Sequence, residues 1–583
     1  LSHESVLPWG RSAEAFAFAK RGWSTRIHDA LDDVGKECWS VRACEEEAFS
    51  ATPLLPMRRP DRRYATVWGT LVLALALRLP WLGSTPNPSG DEGNWTWIAW
   101  KLLRGHPVEL PPDARFVPLT FAWLIAGSYR LLGPSFASAR AVLVLGLVTG
   151  SVLAFVLARR IGAPRAALAV VVALALHPWA VLWSRTVTVP YALSLALSVV
   201  GPLAFLDAQR TRDPWRMLLA AQLLGFGFHF SPLAAIPLGA CVLHSFGTER
   251  PRGRTLAAAS TALVHVLPMA CAALRAARGN PGRPGTFFTA MPQRLHVFVR
   301  TLLGAVDGEA TLRHFTGTQW EAMGEWVSGT LSVAIVVVAL GPPRGEPAVV
   351  HTLARMARVQ WGLALVGLPL LLAPARPWNL PAIDAERYGF IVVAPFVLSL
   401  AALAERTDRA RHLLPVALVA TCLLPTLRGV WFFARGGSSD RGAYTLAGGG
   451  GYRGWKVARE REALSVLLRR ELDGLRAGAP ATFVVADYAF HPLHFVNAEG
   501  GVPTVDVTKF PLPVRPGELH GFVRWSDGLF APGFTPRAAR EDNERLTALL
   551  RSPVFEGARR VRVFVQPDGS PLCELWVAVR AVR

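Results

Sequence analysis

From about residue 66 to residue 433 the apolar residues of this chain arrive in long uncharged blocks, separated by short loops that carry arginine. A helix needs about 20 apolar residues to cross a bilayer, so such blocks predict membrane spans. The first block, Thr66 to Leu82, follows the basic flank Met57-Arg58-Arg59-Pro60-Asp61-Arg62-Arg63. Basic flanks stay in the cytoplasm, so this span is expected to exit and leave Gly90-Asp91-Glu92-Gly93 outside. Phe116 to Leu132 is short, contains Arg130 and opens on Pro118, and is expected to lodge at the outer surface as a helix. Phe136 to Leu157 then returns to Arg159, Arg160 and Arg165.

The arginines continue to alternate. Ala166 to Trp183 exits, and Tyr191 to Leu206 returns to Arg210 and Arg212. Met217 to Phe230 and Leu233 to Phe246, divided by Ser231-Pro232, read as a hairpin back to Arg250, Arg252 and Arg254; a single broken helix would invert everything after it. Leu256 to Leu274 exits and Val327 to Leu340 returns to an inner loop with Arg344, Arg355 and Arg358. Trp361 to Leu372, Tyr388 to Leu403 and Leu413 to Phe433 complete about eleven transmembrane helices.

The fold class is therefore an α-helical polytopic membrane protein with a C-terminal soluble α/β domain. Residues 434–583 open with Gly436-Gly437-Ser438-Ser439 and Gly448 to Gly451, a linker composition. Arg459 to Leu475 has leucines at helical spacing, another helix is expected near Arg537 to Leu550, and Ala481 to Asp487, Val502 to Val507, Val561 to Val565 and Leu575 to Val582 read as strands. By the parity above this domain is extracytoplasmic. Residues 1–56 show no sustained periodicity and no signal-peptide pattern, which points to a disordered leader or a gene-boundary artefact before a start at Met57. The membrane domain is then 57–433.

Composition agrees, with 51% hydrophobic residues over 583 and a mean hydropathy of +0.30. The net charge of +20 falls largely in short loops where topology explains it, so nucleic acid is excluded as a partner. Six scattered cysteines give neither a disulfide framework nor metal-ligand spacing. No cofactor is required by the sequence, and a divalent metal is compatible with it.

Chemistry collects on the outer face. Asp91 and Glu92 start a helix with Trp95, Trp97 and Trp100, an aromatic composition suited to headgroup level. Acids at that depth are expensive to bury, and carboxylates also cap helix N-termini favourably. The loop after Leu274 holds Arg283, Arg294, Arg300, Asp307, Arg313 and His314, and Asp384, Glu386, Arg387 and Tyr388 precede a later span. Outer loops are normally poor in arginine, so this cluster points to an anionic ligand, for which the guanidinium fork is suited, or to docking on headgroups. His177, His229, His244 and His265 lie in apolar blocks and are expected to be hydrogen-bonded packing residues.

The order Asp91-Glu92, Pro118-Leu119-Thr120-Phe121, Gly133, Ala139-Arg140, then Arg387-Tyr388 and Pro395 resembles the GT-C class of integral-membrane glycosyltransferases. The resemblance is to the branch with protein O-mannosyltransferases, the lipid A aminoarabinose transferase and RgtA/B/C/D-like transferases, and it covers roughly Arg58 to Leu403. Asn94-Trp95 stands where that family has a tyrosine, and Val117-Pro118 where it has paired prolines. The resemblance implies transfer of a sugar from a polyprenyl-phosphate carrier to a lipid, glycan or protein acceptor at the extracytoplasmic face of the inner (plasma) membrane. Asp91 is then the expected base, and Glu92 orients acceptor or sugar. Arg387, Tyr388, Arg185, Arg283, Arg294, Arg300, Arg313, His314 and Pro118 are the substrate-binding candidates. The rival classes are a lipid-linked-glycan flippase, which would show internal repeats and mid-span charges, and a non-catalytic scaffold, which would not need Asp91 acidic.

Overall fold

A computed structural model describes residues 62–86, 88, 90–108, 119–187, 190–246, 252–267, 304, 306–308, 312, 322–342, 345–372, 386–434, 459–476, 478–485, 490–498, 501–507, 518–526, 537–565, 569 and 571–580. The chain divides into a unit Leu1–Ala65, of which residues 62–65 are described as the start of a helix, and a unit Thr66–Arg583 that holds everything below. The leader and Met57 lie outside the described residues.

Among the described residues, Phe136–Arg160, Tyr191–Thr211 and Arg409–Trp431 are long and apolar enough to cross a membrane, and six shorter apolar helices accompany them. Of the roughly eleven expected spans, part of Leu256 to Leu274 lies outside the described residues. Tyr191–Thr211 and Phe390–Glu405 are buried along nearly their whole length, as helices apolar on all sides must be, and the others pack around them.

Two expectations change in detail. The span Ala166 to Trp183 is two helices, Pro164–Leu176 and Pro178–Trp183, with His177 extended between them at ψ 130°. Pro178 has no N–H and disfavours a helical residue before it, so the helix must stop. The carbonyls this orphans are taken up by side chains from elsewhere: Arg78 donates to Leu174 and Ala175 O at 3.4 and 2.7 Å, and Thr426 to Leu176 O at 2.6 Å. Arg355 and Arg358, expected in an inner loop, lie on the helix Ala348–Leu372, because Ala348 to Trp361 contains neither glycine nor proline to break it.

The hairpin holds. Arg216 pairs with Asp207 at 3.5 Å and Leu224 lies against Gly201, so Pro214–Phe226 runs antiparallel to Tyr191–Thr211; His244 then lies back at Phe205, 6.3 Å between ring centres. Ser231 makes the turn, accepting a hydrogen bond from Leu233 N. Several loops that the arginine pattern places on one side do meet. Arg160 pairs with Asp207, Glu405 accepts from Arg165 N and Ala166 N, and Glu346 accepts from Thr407 and Asp408 N.

Beyond the helices lies a five-stranded sheet in the order β2-β1-β3-β5-β4: β1 Ala481–Val485, β2 Thr504–Asp506, β3 Leu519–Trp525, β4 Phe555–Val565 and β5 Pro571–Arg580. β1 is parallel to β2 and β3, while β5 is antiparallel to β3 and β4. Alternation divides the side chains between two cores. Phe483, Val485 and Val523 face Leu464, Leu467, Leu468 and Leu472 of the helix Leu464–Arg476, while Val484 and Phe522 face Leu546 and Leu550 of Arg537–Leu550. The strand pattern missed β3, the middle of the sheet, because its sequence LHGFVRW breaks alternation with His520, Gly521 and Arg524.

Candidate functional site

The two adjacent acids have opposite surroundings. Both lie in the first turn of the helix Gly90–Leu103, where the peptide dipole favours negative charge. Glu92 is fully buried, and Arg140, also fully buried, grips it through two hydrogen bonds of 2.9 and 2.7 Å. Arg140 also donates to the carbonyls of Leu82 and Pro86, both at 2.8 Å, and Glu92 accepts from Val187 N at 2.7 Å. The pair thus ties the acid helix, the loop after the first span and the loop before Tyr191 to one another. This corrects the expectation that Glu92 faces substrate: its oxygens are engaged inside the protein. Asp91 stays partly exposed on the same turn.

Arg185 is likewise taken up by the fold. Its terminal nitrogens donate to Leu77 and Arg78 O at 3.0 and 2.8 Å, and to Pro80 and Thr85 O at 2.7 and 2.9 Å. The first two carbonyls end the helix Arg62–Arg78 and have no helical N–H to meet, so a buried guanidinium caps them and ties the following loop to the helix end. Four occupied donors leave little for a phosphate. Arg78 and Arg140 are the structural residues that hydropathy passed over; the signal was an arginine lodged beside an apolar block.

The tryptophans also sit differently from expectation. Trp95 and Trp100 are buried inside the protein, Trp95 edge-on to Phe121 at 5.3 Å and Trp100 stacked on Trp97 at 5.2 Å. Trp97 in turn lies 6.3 Å from His494 of the C-terminal domain, so this aromatic segment packs on protein. That domain lands on the acid helix through Pro492–Asn497. A Cβ on Gly93 would lie 2.4 Å from Pro492 N, so only glycine admits the approach. Phe495 continues the contact, stacked on Tyr129 at 5.6 Å and edge-on to Phe136 at 5.0 Å. The acid helix and the C-terminal domain are thus in direct contact. Beside this seam a cleft of roughly 500 Å³ opens between Ser84, Trp100, Ser135, Phe136, Arg461 and Phe495. Arg461 lies over Trp81 at 4.7 Å, a cation–π contact.

Tyr388 is half-buried against Tyr191, with ring centres 5.3 Å apart, at the entry to Phe390–Glu405. The Arg387 side chain, Pro118, Arg283, Arg294, Arg300, Arg313 and His314 lie outside the described residues, as does Asp113. Asp307 is buried. His177 bridges the helix break, its Nε2 3.1 Å from Val306 O and its Nδ1 accepting from Trp179 N, which fits the packing role expected of it. Among the described residues no three His, Cys, Asp or Glu side chains gather as metal ligands would.

Residues 117–279, less than half of the chain, match the family model described as dolichyl-phosphate-mannose-protein mannosyltransferase. That segment holds the Leu119-Thr120-Phe121 and Ala139-Arg140 motifs, and the match bears out the resemblance drawn from them. No curated protein matches the sequence. Among solved structures, the chain is similar to apo ArnT from Cupriavidus metallidurans, at 15% identity, 88% coverage of this chain, 98% of that one and a TM-score of 0.39. ArnT from the same organism bound to undecaprenyl phosphate gives 14%, 88%, 98% and 0.39. The archaeal oligosaccharyltransferase AglB from Archaeoglobus fulgidus, in complex with an inhibitory peptide and a dolichol-phosphate, gives 13% identity, 76% of this chain, 64% of that one and 0.43.

Proposed function

We propose that this chain is a membrane glycosyltransferase of the GT-C class, which moves one sugar from a polyprenyl-phosphate carrier to a lipid, glycan or protein acceptor. The description of the matching family names a dolichyl-phosphate-mannose donor, which is a polyprenyl-phosphate sugar. The reaction belongs on the extracytoplasmic face of the plasma (inner) membrane, the side to which the basic flank at Met57 assigns the acid helix. The C-terminal domain, in contact with that helix, shares the face.

The observation that carries the reading is the asymmetry of the acid pair. Glu92 is locked to Arg140 as a frame, and Asp91, on a turn so fixed, is the carboxylate left partly exposed. In the proposed step Asp91 takes the proton of the acceptor hydroxyl as its oxygen bonds to the anomeric carbon. The bond from that carbon to the phosphate oxygen breaks, and the polyprenyl phosphate leaves with the electron pair. One displacement inverts the anomeric centre and needs no second nucleophilic carboxylate. Arg387, with Arg283, Arg294, Arg300, Arg313 and His314, would hold the departing phosphate, and Tyr388 and Pro118 would border the donor.

Asp91→Asn keeps the size of the side chain but removes its basicity. With purified full chain and a panel of labelled polyprenyl-phosphate sugars, turnover should fall by about 10² to 10⁴ while donor binding persists. Unchanged turnover would return Asp91 to helix capping and move the base to Asp113 or Asp307.

A further inference from the structure

Five polar side chains from three stretches of the chain form one hydrogen-bonded row behind the start of the helix Thr120–Leu132. Thr120 Oγ1 is 2.8 Å from His229 Nδ1, and His229 Nε2 is 3.1 Å from His265 Nδ1. His265 Nε2 is 2.8 Å from Gln222 Oε1, and Gln222 Nε2 is 2.9 Å from Thr261 Oγ1. The close approach has a cause in the sequence. Gly225 leaves the room: a Cβ there would lie 2.6 Å from His265 Cδ2 and 3.1 Å from the Ala262 backbone.

The far end of the row fixes the direction of every bond. Thr261 donates its hydroxyl hydrogen to Ala258 O at 2.7 Å, so toward Gln222 it accepts, and the Gln222 amide must turn its NH₂ to Thr261 and its oxygen to His265. His265 therefore carries its hydrogen on Nε2 and accepts on Nδ1. His229 then carries its hydrogen on Nε2 and accepts on Nδ1, from the Thr120 hydroxyl. Thr120 is thus left with oxygen lone pairs to offer on its other side. Its neighbour Phe121 packs on Trp95, one helical turn beyond Asp91, so the row ends beside the acid helix.

One added proton reverses the row. His265 with both nitrogens protonated donates from Nδ1 to His229 Nε2, and His229 then donates from Nδ1 to Thr120, which must turn its own hydrogen outward. A second proton would set N–H against N–H across 3.1 Å, so the pair accepts one. The groups packed on the rings are Phe226, at 5.3 and 6.5 Å, Gln222 and Thr120; among the described residues neither ring forms an ion pair, and each is the other's titratable neighbour.

We infer that His229 and His265 are positioning residues that set the hydrogen-bond polarity of Thr120, which presents an acceptor to a carbohydrate hydroxyl when the pair is neutral and a donor when the pair shares one proton. The carbohydrate half rests on the glycosyl-transfer reading above; the tautomers do not.

The test uses the full chain in detergent with ¹⁵N-labelled histidine, His229→Gln and His265→Gln serving to identify the signals. Near neutral pH both rings should be in the Nε2–H form, and on acidification the pair should take up a single shared proton. Gln222→Glu sets a carboxylate on His265 and should raise that midpoint by about 1 to 3 pH units. The acid limb of the pH profile for transfer from labelled polyprenyl-phosphate sugars should move with it. Thr120→Val should remove that limb and Thr120→Ser restore it. Nδ1–H rings, two independent titrations, or a midpoint that moves without the transfer profile would each overturn the inference. Inactivity with every donor, beside the expected ring signals, would sink the transfer reading and the carbohydrate half together while leaving the proton-sharing pair established.

Discussion

Arginine is held by opposite means in the two halves of this molecule. Around the acid helix, Arg78, Arg140 and Arg185 are buried, and their donors go mostly to backbone carbonyls of helix ends and of the loop after the first helix, with one bidentate carboxylate. On the C-terminal sheet, Arg560 and Arg562 of the edge strand β4 stay partly exposed and pair with Glu574, Glu460 and Glu471. Water can replace a partner on the sheet; inside the helices nothing can. The same residue type is therefore a structural fixture in one region and a nearly neutral surface group in the other, where it also blunts an open edge.

The largest expected effect comes from breaking the buried pair. Arg140→Met leaves the Glu92 carboxylate buried without its counter-charge and should cost about 3 to 5 kcal/mol, measured by thermal unfolding of the purified chain. Adding Glu92→Leu should recover most of the loss. A double variant no better than the single one would mean that packing, not charge, carries the cost.

A smaller effect tests the seam between the regions. Gly93→Ala pushes a methyl group into the Pro492 backbone and should destabilise by about 1 to 3 kcal/mol and ease proteolysis between the helices and the sheet domain. Gly474→Ala meets nothing within 4 Å on its helix, so it should stabilise by about 0.5 to 1 kcal/mol. Equal signs for the two would show that close approach does not explain Gly93.

The smallest effects belong to the sheet. Arg562→Ala should cost about 1 kcal/mol or less, and less still in high salt. Burial works against the Glu574 carboxylate, but the Trp576 indole N–H, Arg524 and Arg560 prevail and hold its carboxyl below the usual range. A carboxyl depressed by folding contributes stability that is present above its unfolded value and lost as pH falls through its folded one. Unfolding of wild type against Glu574→Gln should therefore differ near neutral pH and converge in acid; a gap that persists in acid would assign Glu574 a role independent of charge.

Much of the fold was legible because its signals are periodic. Apolar blocks and alternating arginines set the helices, the hairpin at Ser231-Pro232 and the meeting of Arg160 with Asp207. Leucine spacing set Leu464–Arg476. Of the site, the order of motifs pointed to Asp91-Glu92 and Ala139-Arg140, but not to the fact that two of them bind each other. Spacing along a chain does not reveal that residues 48 positions apart will share a hydrogen bond.

The sequence alone determined the membrane class, the position of the acids at the end of the first span and the resemblance to GT-C transferases, since each depends on local composition or on order. Only the tertiary structure decided which acid is a fixture, that Arg185 caps a helix, that the tryptophans face protein and that Gly93 receives the C-terminal domain. Adjacent carboxylates are equivalent until packing surrounds one with donors and leaves the other near water. Burial and hydrogen-bond partners are properties of the assembled fold, and they separate Glu92 from Asp91.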